Sequence, residues 1–142
     1  DFRELYRDLQ VLELDHVGVF RYSKEEGTPA ATMEGPVHPG TRRRRSKELT
    51  QLLQEISLRK RTEWVGRKVP VRLEGLKANG DKSAEGSWQG RMSIQAEGID
   101  GNVLINEVPQ GLELRPGALA WVEISGALSY DWIGQIVSIA KA

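Results

Sequence analysis

Apolar residues along the first dozen positions recur with a helical period. Phe2, Leu5, Tyr6, Leu9 and Leu12 form one stripe, which predicts an amphipathic helix with a face to cover. After the break at Asp15, the run His16-Val17-Gly18-Val19-Phe20 is short, apolar and bounded by polar residues, as a strand buried on both faces would be. Helix followed by buried strand is the grammar of a parallel α/β sheet, in which the segment leaving the strand's C-terminal end lines the site. Here that segment is Arg21 to Ala30; the alternative is a solvated loop turning at Gly27.

Pro29, Gly35, Pro36, Pro39 and Gly40 cannot continue a helix or a central strand, so residues 29–40 read as a connector. A second helix then runs to about Trp64 with Leu49, Leu52, Leu53 and Ile56 on its apolar face, and either Thr41 or Ser46 as its N-cap. From Val65 the period changes to two. Val69, Val71 and Leu73 alternate with Lys68, Pro70, Arg72 and Glu74, Ala120, Val122 and Ile124 alternate with Trp121 and Glu123, and Ile133, Val137 and Ile139 are expected to share one face. Further strands around Ser87–Ile94 and Val103–Ile105 bring the count to about five. The turns between them come at Asn79-Gly80, Asp100-Gly101 and Pro116-Gly117. Five short strands suit a small closed barrel that removes exposed edges, and Pro70 places part of its own strand at an edge.

The chain has 142 residues with equal numbers of acidic and basic side chains, yet the charge is uneven along it. Residues 1–40 hold 4 basic and 8 acidic side chains, residues 41–64 hold 8 and 3, and residues 65–142 hold 8 and 9. Positive charge is therefore concentrated in the second helix, above all in Arg42, Arg43, Arg44 and Arg45. These four are candidates for contact with an acidic partner, the alternative being a frayed, solvated first turn. Cysteine is absent, which removes disulfides, thiolate nucleophiles and iron–sulfur ligation by this chain. The longest apolar runs are strand-sized and no opening segment resembles a signal peptide, so a cytoplasmic protein with no membrane partner is expected. The chain opens inside a helix without a start methionine and is read as part of a longer polypeptide.

Four segments, in order, resemble a known family. Gly18-Val19-Phe20-Arg21-Tyr22-Ser23-Lys24-Glu25-Glu26-Gly27-Thr28-Pro29-Ala30 is similar to a loop near the end of the radical S-adenosylmethionine domain of methylthiotransferases. Gln54-Glu55-Ile56-Ser57, followed by Val65-Gly66-Arg67, resembles their junction into a TRAM domain. Ala96-Glu97-Gly98-Ile99-Asp100-Gly101-Asn102-Val103 and Tyr130-Asp131-Trp132-Ile133-Gly134 resemble segments of the branch that modifies a ribosomal-protein aspartate. The uninterrupted Arg42–Arg45 run and the connector Val37-His38-Pro39-Gly40 depart from the family's pattern.

The resemblance implies an α+β fragment: the terminal helix and strand of a (β/α) radical domain (1–40), a connecting basic helix (41–64) and a five-stranded antiparallel, OB-like TRAM barrel (65–142). It implies that the parent enzyme binds two [4Fe-4S] clusters and S-adenosylmethionine, with no catalytic residue, metal ligand or cofactor supplied by this fragment. It places Tyr22, Ser23, Glu25, Glu26, Gly27 and Thr28 at the mouth of the parent's active site, and a small-subunit ribosomal protein as partner. The alternative is an RNA-binding module in which the basic helix and a barrel face grip phosphates.

Other residues invite sharper readings that the pattern does not carry. His16 and His38 are isolated and read as structural. Glu25 and Glu26 are adjacent, diverge on an extended segment and cannot act as a paired acid and base. Trp64, Trp88, Trp121 and Trp132 have β-branched neighbours and read mainly as core or rim of the barrel, with base stacking as the alternative.

Overall fold

In a computed structural model of the chain, residues 1–76 and 87–140 are described, and the expected Asn79-Gly80 turn lies outside them. Two units divide after Ser57, inside the second helix.

In the first unit, α1 (Phe2–Leu12) is capped by Asp1, whose carboxylate accepts the Arg3 N–H, and ends at Glu13 in the left-handed region. The second helix, α2 (Pro39–Thr62), supplies Leu49, Leu52, Leu53 and Ile56 to a cluster with Leu9, and Phe2, Tyr6, Val17 and Val19 pack against it. The predicted apolar faces of both helices are thus the faces that meet. Leu5 and Leu12, on the flanks of the α1 stripe, remain exposed.

Two expectations for this unit are corrected. His16–Phe20 is extended but pairs with no strand among the described residues. Val17 and Val19 turn toward the leucine cluster, while His16 and Phe20 are exposed, Phe20 at 92%. Among the described residues only the leucine cluster covers this segment, so the Val17 and Val19 side alone is half-buried. The α2 cap is neither Thr41 nor Ser46. Pro39 opens the helix, where its fixed φ and missing N–H cost nothing, and the imidazole Nδ1 of His38 accepts the Gly40 N–H at 3.1 Å.

The second unit is a closed barrel of β1 (Lys68–Leu76), β2 (Trp88–Arg91), β3 (Val103–Glu107), β4 (Leu119–Ala127) and β5 (Trp132–Ile139), in the order β1-β2-β3-β5-β4. Four pairings are antiparallel as expected, and the fifth, β3 with β5, is parallel. In β1, Val69, Val71 and Leu73 point inward, and in β4 Ala120, Val122 and Ile124 do the same, so period two is read out directly as burial. Pro70 pairs with Trp121 on β4, while β2 reaches only Arg72–Leu76, leaving the proline a neighbour on one side. Pro116 and Gly117 form the turn into β4, with the Ala118 N–H donating to the Arg115 carbonyl and Gly117 at φ 86°.

The expected face of β5 is also corrected. Trp132, Gly134 and Ile136 are buried, Ile133 and Ile139 are half-buried, and Val137 is 41% exposed. Trp132 decides the register. Its large ring fills the core, and its Nε1–H donates to the Arg61 carbonyl at 3.2 Å. A shift of one residue would expose that ring, because successive side chains alternate between faces.

Candidate functional site

The loop after Val19 is built by short-range bonds. Thr28 donates both its N–H and its hydroxyl to the Glu25 carbonyl, Gly27 turns the chain at φ 79°, and Pro29–Thr32 forms one 3₁₀ turn. Tyr22, Ser23, Glu25, Glu26, Gly27 and Thr28 are all exposed. Tyr22 is tied to α2, its carbonyl accepting from Arg42 Nη1 at 2.8 Å.

The arginine run does not form one patch, because successive helical residues point about 100° apart. Arg42 and Arg45 are half-buried and turn toward the loop, Arg45 standing 5.0 Å from the Phe2 ring centroid. Arg43 and Arg44 are exposed, and Arg44 bonds Glu48 one turn on at 3.2 Å. A concave surface of about 550 Å³ gathers Tyr22 and Ser23 with Arg42 and Arg43, and adds Arg21, which composition alone did not single out. Glu25, Glu26, Gly27 and Thr28 do not line it.

At one end of the barrel, two segments far apart in sequence lock together. Asp131 accepts the Asn102 N–H at 2.7 Å, Trp132 donates to the Asn102 carbonyl, and Asp100 accepts the Ala96 N–H at 2.7 Å. Buried Gln95 completes the loop, accepting from the Met92 N–H and donating to the Gly101 carbonyl. The Ile99-Asp100-Gly101 and Tyr130-Asp131 segments are therefore one structural device. Ile99 and Tyr130 stand exposed beside it.

Three cations of the second unit face carboxylates. Arg91 contacts Glu74 and Glu97, Lys68 is 3.9 Å from Glu123, and Arg115 is 3.3 Å from Glu113. Arg72, which could have joined Arg91 in a basic face, lies opposite it across β1 and β2, where Arg91 is already compensated. Of the tryptophans, Trp132 is buried, Trp64 and Trp88 pack against the core, and Trp121 is 43% exposed opposite Pro70.

Residues 65–137, which form most of this barrel, match a known family described as the TRAM domain. The chain belongs to the TRAM domain family. Its TRAM domain covers β1 to most of β5. Over nearly the whole chain there is similarity to proteins named ribosomal protein uS12 methylthiotransferase RimO. Identity is 41% over 135 residues to that of Symbiobacterium thermophilum, covering 95% of this chain and 27% of the relative. It is 39% over 137 residues to that of Pelotomaculum thermopropionicum, covering 96% and 29%. For Chloroflexus aurantiacus it is 38% over 139 residues, covering 97% and 29%. The chain thus spans less than a third of the length of these relatives, and the similarity extends well beyond the TRAM domain into the first unit.

An iron–sulfur cluster does not fit the donors present. The chain has no cysteine, and no group of three or more His, Asp or Glu among the described residues could hold a metal ion. Among the described residues no helix is long and apolar enough to cross a membrane.

Proposed function

We propose that this chain is the substrate-docking part of a methylthiotransferase acting on an aspartate of a small-subunit ribosomal protein, with cluster and S-adenosylmethionine chemistry supplied by other parts of the parent polypeptide. In this reading residues 1–40 belong to the radical domain, Tyr22, Ser23, Glu25, Glu26, Gly27 and Thr28 lie at its active-site mouth, and the parent is a cytoplasmic enzyme. The relatives named for action on uS12 support the partner. The observation that carries the docking role is the pairing of Arg91, Lys68 and Arg115 with carboxylates on the TRAM barrel. RNA affinity is dominated by cations neutralising phosphates. A basic ribosomal protein suits a balanced to acidic wall better, since its own charge steers the encounter.

One observation favours an RNA reading. Trp121 is exposed on the barrel wall, with Arg72 two positions from its partner Pro70, a pairing of aromatic and cation suited to stacking a base. Titrating the 142-residue chain with uS12 and with tRNA at physiological salt separates the two. Tighter binding of uS12, with a salt slope shallower than the about −0.7 per phosphate of single-stranded RNA, is the expected result. Micromolar tRNA binding without uS12 binding would promote the RNA reading.

A further inference from the structure

Within the first unit, two concave surfaces adjoin along Val19–Tyr22 and the first turns of α2. One, of about 440 Å³, has apolar walls that include Phe2, Val19, Met33, Val37 and Leu49. The other carries Arg21, Arg42 and Arg43 with the hydroxyls of Ser23 and Ser46, and no carboxylate lines it. Arg21 and Arg43 have no ion-pair partner among the described residues, and Arg42 spends Nη1 on the Tyr22 carbonyl while its Nε is buried without an acceptor.

Three cations lining one concavity repel one another unless something supplies counter-charge. Residues 1–40 carry eight carboxylates, yet none lines this surface. The charge left over suits an anionic ligand, and the planar fork of arginine matches an oxyanion with two acceptors.

The geometry points to a carboxylate-binding subsite in which Arg21 and Arg43, with Ser23 and Ser46, hold an acidic side chain of a peptide, and the adjoining cavity takes its apolar neighbour. This rests on the proposed function, in which the substrate is a polypeptide modified at an aspartate. A nucleic acid would present phosphates in a row and need cations repeated along a track. Here they are gathered in one place beside aliphatic walls, with Glu34 on the lining of the apolar cavity.

The test follows the arginine Nε–Hε NMR signals of the full chain during titration with N-acetyl-aspartate amide, N-acetyl-asparagine amide and inorganic phosphate. Saturable shifts at Arg21 and Arg43 are expected with the aspartate probe. Affinity should fall at least about tenfold with the asparagine probe, where the charge is removed, and in an Arg21→Gln, Arg43→Gln double variant. No saturable shift, an equal response to the asparagine probe, or tighter binding of phosphate than of aspartate would overturn the subsite. A parallel uS12 titration keeps the two readings apart. If uS12 binds and the aspartate probe does not, the subsite falls and docking stands; if the probe binds and uS12 does not, the carboxylate site stands and docking falls.

Discussion

Gly101 holds φ 74°, and a Cβ placed there would collide with the Tyr130 carbonyl while standing 3.0 Å from the Asp131 carboxylate. Both the left-handed backbone and the close approach require glycine. Gly101→Ala should therefore lower barrel stability by about 2–4 kcal/mol, since strain and a backbone clash act together. Urea unfolding followed by tryptophan fluorescence measures it, and a change under about 0.5 kcal/mol would mean that the loop yields. Asp100-Gly101 was legible as a turn from its dipeptide. That its glycine receives Tyr130 from 29 residues away was not, because turn propensity concerns only neighbouring residues.

For the strands, β5 offers a direct test of register. Ile136 is 4% exposed and Val137 is 41% exposed, so the wall of the barrel passes between adjacent residues. Ile136→Ala should cost about 2–4 kcal/mol through lost burial and a residual cavity, and Val137→Ala under about 1 kcal/mol. Comparable losses in the two variants would restore the opposite face read from Ile133, Val137 and Ile139. That reading failed because both parities of β5 carry aliphatic residues, so alternation alone cannot choose between them. On β1 the outward parity carries Lys68, Arg72 and Glu74, and there the inward face was plain from the sequence; on β4 Glu123 and Ser125 mark the outward side, with Leu119 and Trp121 beside them.

Across the whole chain, charge and donor chemistry separate what these residues do from what a parent enzyme would need. Without thiolates, reconstitution of the 142-residue chain with iron and sulfide should give no stoichiometric cluster signal by EPR or iron assay. A full-occupancy signal would show that nitrogen and oxygen donors suffice, and would bring cluster chemistry to these residues. The same scale explains why the arginine run does not act as one surface. Helical rotation leaves Arg42 and Arg45 half-buried and Arg43 and Arg44 exposed, and of the four only Arg42 and Arg43 share a concave surface with Arg21.

The sequence alone determined the two helices, their apolar faces, the alternating strands β1 and β4 and the described turns, because periodicity and turn chemistry act over a few residues. The resemblance carried by its motifs led to the TRAM domain. Tertiary structure alone decided that His16–Phe20 joins no sheet among the described residues, the His38 cap, the parallel β3–β5 closure and the placing of Arg21 and Arg43 on one concave surface. It also decided the place of Arg61. In sequence Arg61 is one more cation in a basic helix, but it is 3% exposed, donates to the Ser129 carbonyl and lies 4.8 Å from the Trp132 ring centroid. Local patterns say which way a side chain faces on its own element. Which partner it meets depends on chain segments tens of residues away, and those are brought together only when burial of the whole core selects one arrangement.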